Sequence, residues 1–573
     1  MTFASEVSEV AIMRLTFLVR SWFTTSAGAL AILSLAAFMT RLLPLSMSQY
    51  PWNNDSLTEC AIATEIANTG HLDYSPDAPW FGTHALATPA FNAMLAFIAS
   101  ALGSTPIEIG QVTGAAIAVP MIGAFFLLGK LFSGDMRGGI AASLMGVLMG
   151  TFVFTTGSIW KVTPGILLLL IAVIAYVNRS SPRFRILTVV ILFLIPLTHH
   201  LVTAVAIILL GYVLVWSWFF TLTNNGKKRG ALIDTVTIGI PVAAALAYYA
   251  SVNLDRMVQY SEPMKLALIA SGFAAISILA IIILSLRSHV KVSFAPFVGA
   301  GIVVLILMDY FGFIFPYDPS ASEYYVLLGL ATAVFVALAW YGSEIMLERG
   351  SAFRAIQVSL LLSPITIIGY GFIQGFSLDS HQVLYRSFDL LDIFLFLGAA
   401  VAMVTLYRQR KKLYVVLGLL LVASLAISFP FAYYSEQLLG VRHDTQAYEV
   451  DSLYWLRDHH GNSSVLSDER LGYVARSTIW VTKDSSLPQY LASDSPLPFY
   501  NWFYIMEDSW TTEGVNNYPY GLLVAERQNF NEMLMASDLM YIGGPMDDRI
   551  YLFTASYMGY NTLYDQPLVP STP

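Results

Sequence analysis

Between about residue 24 and residue 434, apolar runs follow one another with only short polar loops between them. A run of roughly 20 apolar residues is the length that crosses the ~30 Å hydrocarbon layer of a bilayer as a helix. Inside that layer every backbone N–H and C=O must find its partner within the protein, so repeated runs of this kind specify a bundle of membrane-spanning helices. Composition agrees, since 56% of the 573 residues are hydrophobic and 12% are charged, against about 25% charged in a soluble domain. One cysteine, Cys60, excludes a disulfide scaffold, and a net charge of −8 gives no reason to expect nucleic acid as a partner.

The runs predict helices at about 24–45, 106–131, 138–155, 163–178, 186–198, 201–222, 231–250, 265–286, 292–315, 324–346, 355–376, 388–407 and 413–434, about thirteen spans. The first run lacks a small-residue cleavage site and reads as a retained helix. From about 435 to 573 the chain is polar and holds no run long enough to span, so it reads as a membrane domain, 1–434, and a soluble tail, 435–573. Lys and Arg collect in cytoplasmic loops. If the interrupted stretch Ala85–Leu102 does not cross, one face receives Lys130, Arg137, Arg179, Arg183, Arg185, Lys227, Lys228, Arg229, Arg287, Lys291, Arg349, Arg354, Arg408, Arg410, Lys411 and Lys412. The loops of the other face then receive only Lys161, Arg256, Lys265 and Arg386, with Arg41 ending the first span. This places the N-terminus inside and the tail outside the cell membrane.

The first outer loop, 46–105, contains no Lys or Arg, but holds Asp55, Glu59, Glu65, Asp73, Asp77, His71 and His84. Asn54 or Asp55 is a good N-cap, and Asp55 and Glu59 at i, i+4 share one helix face, where like charges repel unless a cation or a shared proton relieves them. His199 and His200 stand at a break between two apolar runs; neighbouring positions on a helix point about 100° apart, which sends one of them into a cavity. In the tail, Asp444–His460 reads as a helix capped by Asp444 or Thr445 and ended by Gly461. Ser464–Ser467, Leu539–Ile542 and Ile550–Phe553 read as strands and Phe530–Ser537 as helical, which together suggest an α/β layer.

The order of parts resembles the GT-C superfamily of integral membrane glycosyltransferases, and within it the catalytic subunit of oligosaccharyltransferase. The shared features are a first span, a large outer loop with an acidic residue just beyond it, alternating spans and an outer C-terminal domain. The resemblance implies a polyprenyl-phosphate-linked sugar as donor, and Asp55, within Trp52-Asn-Asn-Asp-Ser-Leu-Thr-Glu59, as the carboxylate that activates the acceptor. It implies that Arg386, in Asp379-Ser-His-Gln-Val-Leu-Tyr-Arg386, contacts the lipid-linked phosphate. Oligosaccharyltransferases carry a metal-binding acidic motif in the second outer loop. Here that loop, Phe154-Thr-Thr-Gly-Ser-Ile-Trp-Lys-Val-Thr-Pro164, has no carboxylate and instead has Lys161, which either offsets phosphate charge or snorkels at a helix start. Mn²⁺ or Mg²⁺ held by Asp55, Glu59 and a histidine is the metal-dependent alternative. The Trp-Trp-Asp signature that reads a protein sequon is also missing; Leu466-Ser-Asp-Glu-Arg-Leu-Gly472 takes its place, with Asp468 as the acceptor-side candidate.

The expectation is a transfer of a sugar or glycan from a polyprenyl-(di)phosphate donor to a glycan, lipid or protein acceptor at the outer face of the bilayer. Transfer to protein asparagine is one alternative. A lipid-linked-glycan transporter is another, though no internal repeat favours it. A non-catalytic binding relative is the third.

Overall fold

The structure, a computed structural model, describes residues 25–73, 87–223, 228–252, 293–310, 323–347, 351–373, 378–433, 442–461, 464–479, 483–493, 502–512, 514–516, 522–535, 537–546 and 548–555. The span expected at 265–286, with Asp77 and His84, lies outside these residues. Every other expected run is helical over most of its described part, and one of them is broken. Among the described residues seven helices are long and apolar enough to cross a membrane, or eight if one bent pair counts as a span. Others fall short of a full crossing: Val162–Val177 has 16 residues and Pro182–Thr198 has 17. The stretch at 85–102 forms a helix at Ala90–Leu102, whose 13 residues reach only about 20 Å.

Local chemistry explains the helix ends. Thr25 accepts from Gly28 N–H at 3.1 Å and starts Ser26–Leu42. Thr105 and Glu108 form a reciprocal capping box at the head of Pro106–Ser133, and Gly134, at φ 67°, ends that helix. The bundle core is aromatic: Phe125, Phe152 and Phe396 pack edge to face with centroids 5.2 to 5.4 Å apart, and Phe335 joins at 5.9 Å. Helices Glu323–Leu347 and Leu378–Gln409 cross so closely that a Cβ on Gly342 would lie 1.7 Å from the Gly398 carbonyl oxygen.

One expected span is corrected. The run 138–155 is two helices, Met136–Leu148 and Gly150–Gly157, bent by 67° at Met149. The break strands carbonyls in the bundle, and the buried Arg41 reaches them, donating to Gly146 O at 2.7 Å and Val147 O at 3.2 Å, and to Thr156 Oγ1 at 2.8 and 3.1 Å. Gly150 permits the bend, since a Cβ there would meet the Ser428 carbonyl oxygen at 1.7 Å.

In the tail, helix Ala447–His460 begins with a Gln446/Glu449 capping box in place of the expected Asp444 or Thr445. Asp444 is instead engaged by Arg442 at 3.1 Å. Strands β1 (Val465–Leu466), β2 (Lys483–Asp484), β3 (Phe503–Glu507), β4 (Val515–Asn516), β5 (Leu522–Leu523), β6 (Ser537–Gly543) and β7 (Ile550–Ala555) follow. Five of them form a mixed sheet ordered β2-β1-β3-β7-β6. Its β1 pairs are parallel, and its β3–β7 and β6–β7 pairs are antiparallel. Helix Arg527–Met535 covers much of the segment expected to be helical, while Ser537 already starts β6. The tail sits on the first loop. Ser48 Oγ donates to Thr445 O at 2.6 Å, Asn53 N–H to His443 O at 3.0 Å, Thr58 and Ser477 hydroxyls meet at 2.8 Å, and Leu57 joins the tail core. At the opposite end Arg408 binds Asp135 and Arg179 binds Asp234, both at 2.9 Å.

Two measurements follow from this docking. In a Cys60→Ala background, Asp458→Cys on the tail and Gln409→Cys beyond the late helix are both exposed, and a membrane-impermeant thiol reagent applied outside should label only Asp458→Cys. Labelling of Gln409→Cys alone inverts the topology. The second concerns His443, whose ring packs 4.8 Å from Phe154 and 6.2 Å from Trp52. Burial pushes its pKa down to about 4, opposed by Asp444 and reinforced by Arg470. Below about pH 6.5 the unfolded chain takes up a proton that the folded site refuses. Its contribution is therefore present above that pH and is lost as pH falls toward 4, at most about 3 kcal/mol. Stability of wild type relative to His443→Phe, followed by denaturant unfolding, should fall across this window; a constant difference contradicts the assignment.

Candidate functional site

The loop helix Asn54–Thr69 opens at the boundary between the bundle and the tail. Its N-cap is Asn53, one residue before the positions expected, held at φ 77° while its side chain accepts from Asp55 N–H at 3.0 Å. Gly70, at φ 77°, ends the helix. Ser56, fully buried, ties this helix to the loop between Gly150–Gly157 and Val162–Val177 by accepting from Ile159 N–H at 2.9 Å. Two residues further on, Lys161 faces the same helix.

Each carboxylate of the Asp55–Glu59 face has a cation of its own. Arg386 Nη2 lies 3.2 Å from Asp55 Oδ2, and Lys161 Nζ lies 3.3 Å from Glu59 Oε2. The two pairs differ in solvent access. The Asp55 side chain is 38% exposed and that of Arg386 23%, against 16% for Glu59 and 6% for Lys161. Asn92 donates to Glu59 Oε2 at 2.6 Å and to its carbonyl at 3.0 Å. Burial pushes the Glu59 carboxyl above and the Lys161 ammonium below their usual ranges, and the attraction between them opposes both shifts. Asp55 and Arg386 thus form a wet ion pair beside a dry one.

Arg386 owes its place to the length of its helix. Leu378–Gln409 has 32 residues, about 48 Å, so it overruns the ~30 Å hydrocarbon layer. The apolar segment fit to cross begins at Asp389, which leaves Arg386 one turn outside it. The guanidinium carbon lies 5.7 Å from the ring centre of Trp160. Just below, Asp389 and Asp392 are buried, and Thr151 of the broken span donates to Asp392 at 3.2 Å.

The tail reaches the same place. Its helix Glu469–Ile479 lies on the loop helix, and Tyr473 is close enough to Asp55 and Arg386 to feel both charges; burial first, then Asp55 and Glu469, push its phenol up to about 12. Asp468 itself is buried within the tail, where its carboxylate caps this helix by accepting from Leu471 N–H at 2.8 Å. Burial, opposed by Arg470, raises its pKa to about 6.

The histidine pair departs from the helical expectation. Helix Pro182–Thr198 ends before it, and His199 is extended at φ −159°. The two rings therefore stack, 4.9 Å apart and 16° from parallel, rather than diverging. His199 is buried and its Nδ1 accepts from Val202 N–H at 3.3 Å. Among the described residues no three His, Cys, Asp or Glu side chains are grouped to hold a metal ion. Asp55 and Glu59 face Arg386 and Lys161, and a donor set already matched with cations does not fit Mn²⁺ or Mg²⁺.

Asn92, Trp160, Tyr473, Asp389 and Asp392 were not anticipated as site residues. Asn92 and the two aspartates carried a signal, being polar side chains within or at the edge of apolar runs. Trp160 and Tyr473 carried none.

No family model and no curated protein matches this chain. Among solved structures, the arabinofuranosyltransferase AftD from Mycobacteria, seen by single-particle cryo-EM, is similar in fold, with a TM-score of 0.50 and 15% identity over 92% of this chain and 40% of that one. A mutant form of the same enzyme gives a TM-score of 0.47 at 16% identity, over 92% and 41%. The chain thus spans about 40% of the length of the structure it resembles.

The dry pair makes a direct prediction. Glu59→Gln leaves the Lys161 charge buried without its carboxylate and should cost about 3–5 kcal/mol, whereas Glu59→Gln with Lys161→Met should restore wild-type stability or exceed it. Denaturant unfolding of the single and double variants measures this. Equal stability of all three contradicts the pairing.

Proposed function

We propose that this chain is a membrane glycosyltransferase that moves a sugar or glycan from a polyprenyl-(di)phosphate donor to an acceptor at the outer face of the cell membrane. The observation that carries the reading is the Asp55–Arg386 ion pair, closed across 331 residues of sequence. It joins the carboxylate and the guanidinium that the GT-C resemblance marks for the acceptor and for the phosphate. The fold likeness to AftD supports the same class, and makes a polyprenyl-phosphate arabinofuranose one of the donors to try first.

In this reading Asp55 is the general base. It takes the proton of the acceptor hydroxyl as the oxygen attacks the anomeric carbon. The bond from that carbon to the phosphate oxygen breaks in line, and its electron pair leaves on the polyprenyl phosphate. Arg386 offsets the charge that develops there. A guanidinium suits this because its planar fork matches the oxygens of a phosphate in pairs. Lys161 acts through Glu59: it holds that carboxylate neutral-paired and away from Arg386, so the arginine serves Asp55 and the phosphate. No step needs a metal ion held by these residues. The tail, through Tyr473, borders the acceptor side of Asp55.

Asp55→Asn should fold normally, because Asn53 supplies the cap and a partly exposed ion pair is worth only about 0–1 kcal/mol. Its transfer rate, measured with purified protein and polyprenyl-phosphate and polyprenyl-diphosphate sugars, should drop on the order of 10²-fold or more. Arg386→Lys should weaken donor binding, since a point charge replaces a fork. Full activity in Asp55→Asn would falsify the catalytic assignment.

A further inference from the structure

Two buried indoles near the site have N–H groups with no hydrogen-bond acceptor among the described residues: Trp52, 3% exposed, and Trp160, 8% exposed. Their surroundings differ. Trp52 is enclosed by the rings of Tyr433, at 5.6 Å, and His443, at 6.2 Å. Trp160 rests edge-on against Phe154 at 5.6 Å and has the Arg386 guanidinium carbon 5.7 Å from its ring centre. It also directly precedes Lys161. A buried N–H is almost always paired in a folded protein, so one that is not calls for an explanation, and a ligand is one such partner. Beside a guanidinium, the group that best satisfies such a donor is an anion rich in acceptor oxygens.

We infer that the indole N–H of Trp160 donates a hydrogen bond to the phosphate of the lipid-linked donor, alongside the guanidinium of Arg386. The inference rests on the donor-site reading above and deepens it. The indole adds direction without adding charge. It fixes one phosphate oxygen while Arg386 offsets the charge. A second lysine or arginine in this position would instead compete with Arg386 for Asp55. Trp160 is therefore a binding residue for the phosphate and not for the sugar, so it does not distinguish one sugar from another.

The test uses full-length purified protein and three probes: a short-chain polyprenyl phosphate, the matching polyprenol without phosphate, and inorganic phosphate. Trp160→Phe keeps the ring and removes only the N–H. Affinity for polyprenyl phosphate should fall roughly tenfold, affinity for polyprenol should not change, and the melting temperature should stay at the wild-type value. In wild-type protein labelled with ¹⁵N-tryptophan, one indole N–H resonance should move downfield on saturation with polyprenyl phosphate and stay in place with polyprenol. Persistence of the moving resonance in Trp52→Phe separates it from the other unpaired indole, so this measurement tests the inference even if Trp160→Phe does not fold; its loss in Trp52→Phe overturns the inference. Wild-type affinity in Trp160→Phe, with binding lost in Arg386→Ala, overturns the inference and leaves the donor site standing. Unchanged affinity in both variants removes the donor site as well. A Trp160-dependent affinity for inorganic phosphate as high as for polyprenyl phosphate overturns the lipid-linked source.

Discussion

Arg41 meets a requirement on which the tail-facing half of this molecule depends. A helix broken within a membrane bundle leaves carbonyls without partners, and no water is there to satisfy them. Arg41 supplies the missing donors to Gly146 and Val147, and holds Thr156 on the far side of the break. Gln111 completes the joint by donating to the carbonyls of Arg41 and Gly157 and accepting from the backbone N–H of Trp52. The first span, the broken span and the start of the outer loop are thereby one unit. The residues that follow the break, Trp160 and Lys161, are presented to the loop helix from a fixed base.

On that base the site sorts its charges by depth. The buried Lys161–Glu59 pair is closed off by Asn92, while the more accessible Asp55–Arg386 pair meets solvent. A buried pair resists exchange because separating it exposes a charge to a poor solvent, whereas a partly exposed pair can trade partners at little cost. Rigidity and responsiveness thus sit one helical turn apart. A similar contrast marks the tail, where Arg470 is buried between Glu449 and Glu507 and stiffens the sheet that carries Tyr473's helix.

Much of this was legible in the sequence because it obeys local rules. Apolar runs give helices, and the basic residues sorted the loops into two sets. The ion pairs Asp135–Arg408 and Asp55–Arg386 each join loops that this sorting had placed together. Asp55 and Arg386 stood out as charges in unusual places. What stayed hidden depends on distant partners. The run 138–155 read as one continuous span, and only the carbonyls reached by Arg41 show why its bend is tolerated. That the cation relieving Glu59 is Lys161 stayed hidden, because the two lie about a hundred residues apart in sequence. The break at His199 and His200 was legible, but the extended backbone that stacks the two rings was not.

The ties between loop and tail also set an order of assembly. Ser48 bonds Thr445 across 397 residues, Asn53 meets His443 across 390, and Asp55 meets Arg386 across 331. A ribosome adding about 5–20 residues per second makes the loop wait on the order of tens of seconds for these partners. During that time the loop's carboxylates stand in water, with no basic residue in 46–105 to trap them in a wrong pairing. The loop's composition thus bears on assembly as well as chemistry: its carboxylates meet no basic competitor within their own segment before Arg386 and the tail have been made.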